Sequence, residues 1–102
     1  MARFDGRVAL VTFAGGATGQ AICALLEKDG ATVVKADFDV TTVEGWESGL
    51  AALGEAYGRL DIIVTNAEAK YDQPTPIADT TLEQFRAVNR DNIEATFLAT
   101  RY

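Results

Sequence analysis

Three groups of residues have types and spacing that could do chemistry. A run of small residues, Ala14 to Gly19 (A-G-G-A-T-G), joins an apolar stretch to a helical pattern. Two carboxylates, Asp37 and Asp39, end a second apolar stretch, and two asparagines, Asn66 and Asn92, follow the third. A glycine-rich turn opening a helix leaves N–H groups and the positive end of the helix dipole free to meet an anion. Other chemistry is excluded by what the chain lacks. It has no histidine, the commonest general base and metal ligand. Its one cysteine, Cys23, cannot close an internal disulfide. No metal site is expected, and reducing, cytoplasmic surroundings are the simplest setting. The formal net charge is −6, without a basic stripe, so nucleic acid is not an expected partner. No stretch approaches the ~20 apolar residues of a membrane span. Met1 to Gly6 carry no apolar signal region.

Those groups must be positioned by alternating strands and helices. Arg7 to Thr12 (R-V-A-L-V-T) is almost continuously apolar, as a strand covered on both faces should be. Gln20 to Lys28 has helical spacing and should end at Asp29-Gly30. Ala31 to Ala36 reads as a second strand. Thr41 and Glu44 have capping-box spacing. The helix they open should reach about Tyr57 and bury Trp46, Leu50, Leu53 and Ala56 or Tyr57. Gly45, Gly49 and Gly54 should weaken it, by about 1 kcal/mol each relative to alanine. Leu60 to Val64 (L-D-I-I-V) is the third strand. After a loop, Thr80 and Glu83 suggest a second capping box, with a last helix over Thr81 to Arg101. The order β-α-β-α-β-α implies an α/β fold: three layers, a parallel sheet with the first strand in the middle, and right-handed crossovers.

Several segments, in order, resemble the N-terminal half of the short-chain dehydrogenase/reductase family. They are Arg3 to Thr12 with its glycine-rich turn, Gly58 to Ala67 (G-R-L-D-I-I-V-T-N-A), and Phe85 to Phe97 (F-R-A-V-N-R-D-N-I-E-A-T-F). The resemblance covers nearly all of residues 1–102 and implies one partial Rossmann-type dinucleotide-binding domain. It implies NAD as cofactor and hydride transfer between nicotinamide and an alcohol or carbonyl substrate. Within it, Thr12, Gly15, Gly16 and Gly19 correspond to the phosphate-binding turn. Asp37 corresponds to the acid that bonds the adenosine ribose and disfavours NADP. Asp39 and Val40 match the segment flanking adenine. Asn66 and Ala67 match the N-N-A-G motif, and Asn92 matches an asparagine that kinks the helix and supports a proton relay. Each residue also has a plainer reading. The turn can simply join strand to helix, Asp37 can be a solvated carboxylate, Asn66 can satisfy loop backbone, and Asn92 can be a helix polar residue.

The chain departs from the family pattern where the cofactor would be contacted. Phe13, Ala17 and Glu68 replace glycines. Only Phe38 separates Asp37 from Asp39, where the family has a helix and a strand. A parallel crossover needs a dozen or more residues, so one helix-strand unit is missing. No lysine lies four residues after a tyrosine, and the only serine is Ser48. The family's Ser and Tyr-x-x-x-Lys are therefore absent from these residues, and stand-alone turnover is not expected. The expectation is a dinucleotide-binding part of an oxidoreductase. The alternative is an inactive, degenerate or engineered scaffold, or a module that forms homo-oligomers through its last helix.

Overall fold

The computed structural model describes residues 3–66 and 76–102. Ala67 and Glu68 lie outside the described residues. Three strands form one parallel sheet in the order β2-β1-β3. β1 is Val8–Val11, β2 Thr32–Lys35 and β3 Ile62–Val64. Register pairs Ala9 with Val33 on one side and with Ile62 on the other. The first strand is central, as its uninterrupted apolar run requires, and all four of its residues are buried.

The first crossover runs from β1 out to β2, and the second runs back from β2 past β1 to β3. Right-handed connections in these opposite directions place their helices on opposite faces. α1 (Ala17–Lys28) covers one face, where Val11, Ala14 and Cys23 pack with Ile22, Leu26 and Val33. α2 (Val43–Tyr57) and α4 (Ala95–Arg101) cover the other, where Leu10 meets Trp46, Leu53 and Leu98. Neighbouring residues of β1 and of β2 thus feed different cores, as the two-residue pleat dictates.

Helix boundaries depart from the sequence reading in instructive ways. α1 begins at Ala17, not Gln20. Thr42, not Thr41, caps α2 by accepting the Gly45 N–H at 3.0 Å. Thr41 instead bonds the Asp39 carboxylate through both its N–H and its hydroxyl. Likewise Thr81 and Gln84, rather than Thr80 and Glu83, form the reciprocal capping box of α3 (Leu82–Asn89). Where two threonines adjoin, spacing alone does not choose between them. Ala56 and Tyr57 are exposed and Leu50 is only half-buried. The last helix is interrupted by a π turn, Arg90–Glu94, between α3 and α4.

Two of the three α2 glycines are required by packing. A Cβ on Gly45 would collide with the carbonyl of Asp39, and would stand 2.9 Å from the Asp39 carbonyl carbon and from Thr42 Oγ1. A Cβ on Gly49 would meet the Phe38 ring at 2.5–2.6 Å. A Cβ on Gly54 would meet nothing within 4 Å. The abbreviated connection from β2 presses the chain at Phe38 and Asp39 onto the helix, and only glycine leaves room.

Asp61 fastens the opposite end of the sheet. Its carboxylate accepts two hydrogen bonds from Arg59, at 2.6 and 2.8 Å, and one from the Val8 N–H at 2.9 Å. The Arg59 bonds foremost, then the Val8 bond, hold its pKa below the usual carboxylate value. A lowered folded-state pKa contributes stability only while the group stays ionised. That contribution is complete above about pH 4 and fades as pH falls through the folded value. Asp61→Asn should therefore be less stable than the parent at pH 7, with the deficit shrinking below about pH 4. Urea denaturation at the two pH values measures this. A deficit unchanged at pH 3 would remove the carboxylate from the account.

Candidate nucleotide site at the strand tips

The carboxyl ends of β1 and β3 are joined by a clasp. Thr12, buried just past β1, donates its hydroxyl to the Asn66 carbonyl at 2.9 Å and accepts the Asn66 N–H at 3.0 Å. The Thr12 N–H bonds the Val64 carbonyl. The Asn66 carboxamide then donates to the Phe13 carbonyl at 3.1 Å. Two candidate residues far apart in sequence are thus brought together at one end of the sheet.

The turn beyond Thr12 keeps the backbone demand of a glycine without the glycine. Phe13 has φ +49°, the one positive φ among described non-glycine residues. The left-handed region costs an ordinary residue about 1–2 kcal/mol. The ring is half-buried against the core beneath α2 and α4, so it is not a free blade over the turn. Gly19 is needed for close approach. A Cβ there would run into the Phe13 carbonyl and lie 2.7 Å from Ala14 Cα. Gly15 is exposed, with open space where a Cβ would be. Gly16 is the extended residue preceding α1, and no side chain caps that helix end. No acidic residue lies in the first turn of α1. Its N–H groups therefore retain their positive end uncompensated, as an anion site requires. Sequence reasoning missed Gln20, whose carboxamide holds the Gly15 carbonyl at 2.8 Å and pins the turn. A long polar side chain in the first turn was the available signal.

The remaining candidates divide between open and engaged groups. Asp37 is exposed just past β2. The Asp39 carboxylate is engaged by Thr41, whose hydroxyl and N–H lower its pKa, with a smaller contribution from the Arg90 charge. Val40 is a core residue, and its carbonyl accepts the Trp46 indole N–H at 2.8 Å. Asp39 and Val40 thus build the turn into α2, leaving Asp37 as the free carboxylate of the two. Asn92 sits in the π turn. Its carboxamide donates to the Val88 carbonyl, and its own carbonyl accepts the Thr96 hydroxyl at 2.8 Å. π turns are rare and cluster at functional positions. Among the described residues, no group of three His, Cys, Asp or Glu could hold a metal. No described helix is long and apolar enough to cross a membrane.

A parallel sheet with helices on both faces and a small-residue turn at its carboxyl end defines a Rossmann-like α/β protein. The sequence matches the family described as Enoyl-(Acyl carrier protein) reductase across residues 1–102. The chain belongs to that family, among the short-chain dehydrogenase/reductases, and corresponds to their N-terminal part. It is 29% identical to a mitochondrial borneol dehydrogenase of Lavandula x intermedia, with 98% of this chain and 46% of that protein covered. It is 29% identical to a cyclopentanol dehydrogenase of Comamonas sp., with 99% and 49% covered. The chain thus spans about half the length of the curated relatives it matches. A 3-ketoacyl-(acyl-carrier-protein) reductase of Brucella melitensis, solved with NADH, shares the fold with a TM-score of 0.86. That match is 22% identical and covers 96% of this chain and 49% of that one. The aligned stretches with the two dehydrogenases run 119 and 127 positions against a chain of 102 residues. The relatives therefore carry additional residues inside the matched span, in keeping with a missing helix-strand unit.

Proposed function

We propose that this chain is the nicotinamide-dinucleotide-binding part of an oxidoreductase that moves hydride between NAD and an alcohol or carbonyl substrate. The observation that carries this is the Thr12–Asn66 clasp, which sets the glycine turn and the uncapped start of α1 beside the tips of two strands. The α1 N-terminus, with Gly15, Gly16 and Gly19, would face the pyrophosphate. Asp37 would accept hydrogen bonds from the adenosine ribose, and its negative charge would repel an added phosphate there. When bound, the nicotinamide supplies or takes up the hydride. The π turn at Asn92 would support the proton path, though the Thr96 hydroxyl already uses one acceptor site on the Asn92 carbonyl. No Tyr-x-x-x-Lys pair occurs in residues 1–102, so the groups that exchange the substrate proton in this family are not among them. The buried lone Cys23 suits a reducing cytoplasmic setting.

NADH fluorescence titration tests the reading. Saturable binding is expected, and no change up to about 1 mM cofactor would overturn it. Asp37→Ala should weaken NADH about ten-fold, the worth of one charged hydrogen bond, and narrow the gap to NADPH. Equal loss for both cofactors would remove Asp37 from the ribose site.

A second reading is favoured by one observation. Phe85, Ile93 and Phe97 along the last helix are each more than half exposed. Self-association through that helix would cover them. Light scattering of Phe97→Glu against the parent decides it, since an unchanged mass would exclude the helix.

A further inference from the structure

β2 forms one edge of the sheet. The Thr32 and Ala36 N–H groups point inward, to the Arg7 and Val11 carbonyls. By the two-residue alternation of a strand, the N–H and C=O groups of Val33, Lys35 and Asp37 point to the open side. The sequence places the missing helix-strand unit immediately after Asp37, which accounts for this edge being uncovered. A groove of about 210 Å³ lies beside the edge, lined by Val34, Asp37 and Phe38 from the strand end and Ala52, Leu53 and Tyr57 from α2. Lys35 and Asp37 are both exposed, and neither has an ion-pair partner among the described residues.

We propose that this edge pairs with the same edge of a second copy, antiparallel about a two-fold axis, to give a continuous six-stranded sheet. Complementarity selects the register. With Ala36 opposite Ala36 of the second copy, Lys35 faces its Asp37 and Asp37 faces its Lys35. Residues 35 and 37 are the outward-pointing ones, so each such pair exchanges two backbone hydrogen bonds. Directly opposed side chains share a face, which brings each ammonium beside a carboxylate. In the same register Val34 opposes Phe38, and both line the groove, so the two grooves merge. The other two-fold registers that align outward groups are poorer. Val33 on Val33 sets Asp37 opposite Asp29, Lys35 on Lys35 and Asp37 on Asp37 each oppose like charges, and Lys35 on Val33 leaves both charges without partners. A two-fold contact closes at the dimer and does not propagate into a fibre.

The test is a charge-reversal exchange read by sedimentation equilibrium, with far-UV circular dichroism to show that each variant is folded. The parent chain should dimerise. Lys35→Asp and Asp37→Lys should each weaken dimerisation about ten-fold or more, because attraction becomes repulsion at two sites. An equimolar mixture of the two variants should recover parent-like association, as should the chain carrying both changes. A parent that stays monomeric, single variants that associate as the parent does, or a mixture that fails to recover would each overturn the proposal. The measurement is made without cofactor, so its failure leaves the nucleotide reading standing. A monomeric parent would also end the last-helix contact, whereas unaffected single variants of a dimeric parent would leave that contact in place.

Discussion

Trp46→Ala is expected to leave this protein largely unfolded near physiological temperature. The indole is fully buried between the sheet and α2. It stands edge-on to Phe38, with ring centroids 4.9 Å apart and planes at 74°. Its N–H satisfies the Val40 carbonyl. Truncating a buried tryptophan costs about 3–5 kcal/mol, against a total of about 5–15 kcal/mol for an ordinary domain. A chain of this length should lose roughly 15 °C or more in Tm. Trp46→Phe separates packing from bonding. It keeps much of the volume but orphans the Val40 carbonyl, at about 1–3 kcal/mol. Thermal denaturation followed by circular dichroism measures both. A Trp46→Ala chain melting within about 5 °C of the parent would mean the core tolerates the cavity.

Gly45→Ala and Gly54→Ala should change stability in opposite directions although both lie in α2. At Gly45 the added carbon meets the Asp39 backbone, which the short connection from β2 leaves little freedom to retreat. Overpacking of this kind costs about 1–3 kcal/mol, and the strain here should exceed the helix-propensity gain, for a net loss of about 2 kcal/mol. At Gly54 the space is open, and alanine should add about 0.5–1 kcal/mol. Paired urea titrations give both values. Two changes of the same sign would show that the turn at Phe38 and Asp39 is free to move.

These glycines show where the sequence was legible and where it was not. Strand order followed from the buried run of β1, because only a central strand is covered on both faces and both edges. The two-faced core followed from alternation along β1 and β2. What propensity could not reveal is that Gly45 answers to a carbonyl brought in from another segment. Read locally, it only weakens a helix; in the fold, it is the condition for the helix to pack. The site divides in the same way. Thr12 and Asn66 stand 54 positions apart, and motif resemblance identified both. Their mutual bonding depended on the register of β3 against β1, which no local pattern encodes. Phe13 was legible as a missing glycine. Its left-handed backbone and inward ring required the three-dimensional turn. At Asp39 and Val40 the motif reading proposed adenine contacts, whereas the hydrogen bonds of Thr41 and Trp46 give both residues structural work.

The last helix begins without an anchor. No residue of α3 is buried, and the molecule measures 54 Å along its longest axis but 17 Å along its shortest. Its amide protons should therefore trade for deuterium by local fraying, long before those of β1, which wait for the whole domain to open. The same chain thus carries a slow clock in its sheet and a fast one at the start of its final helix.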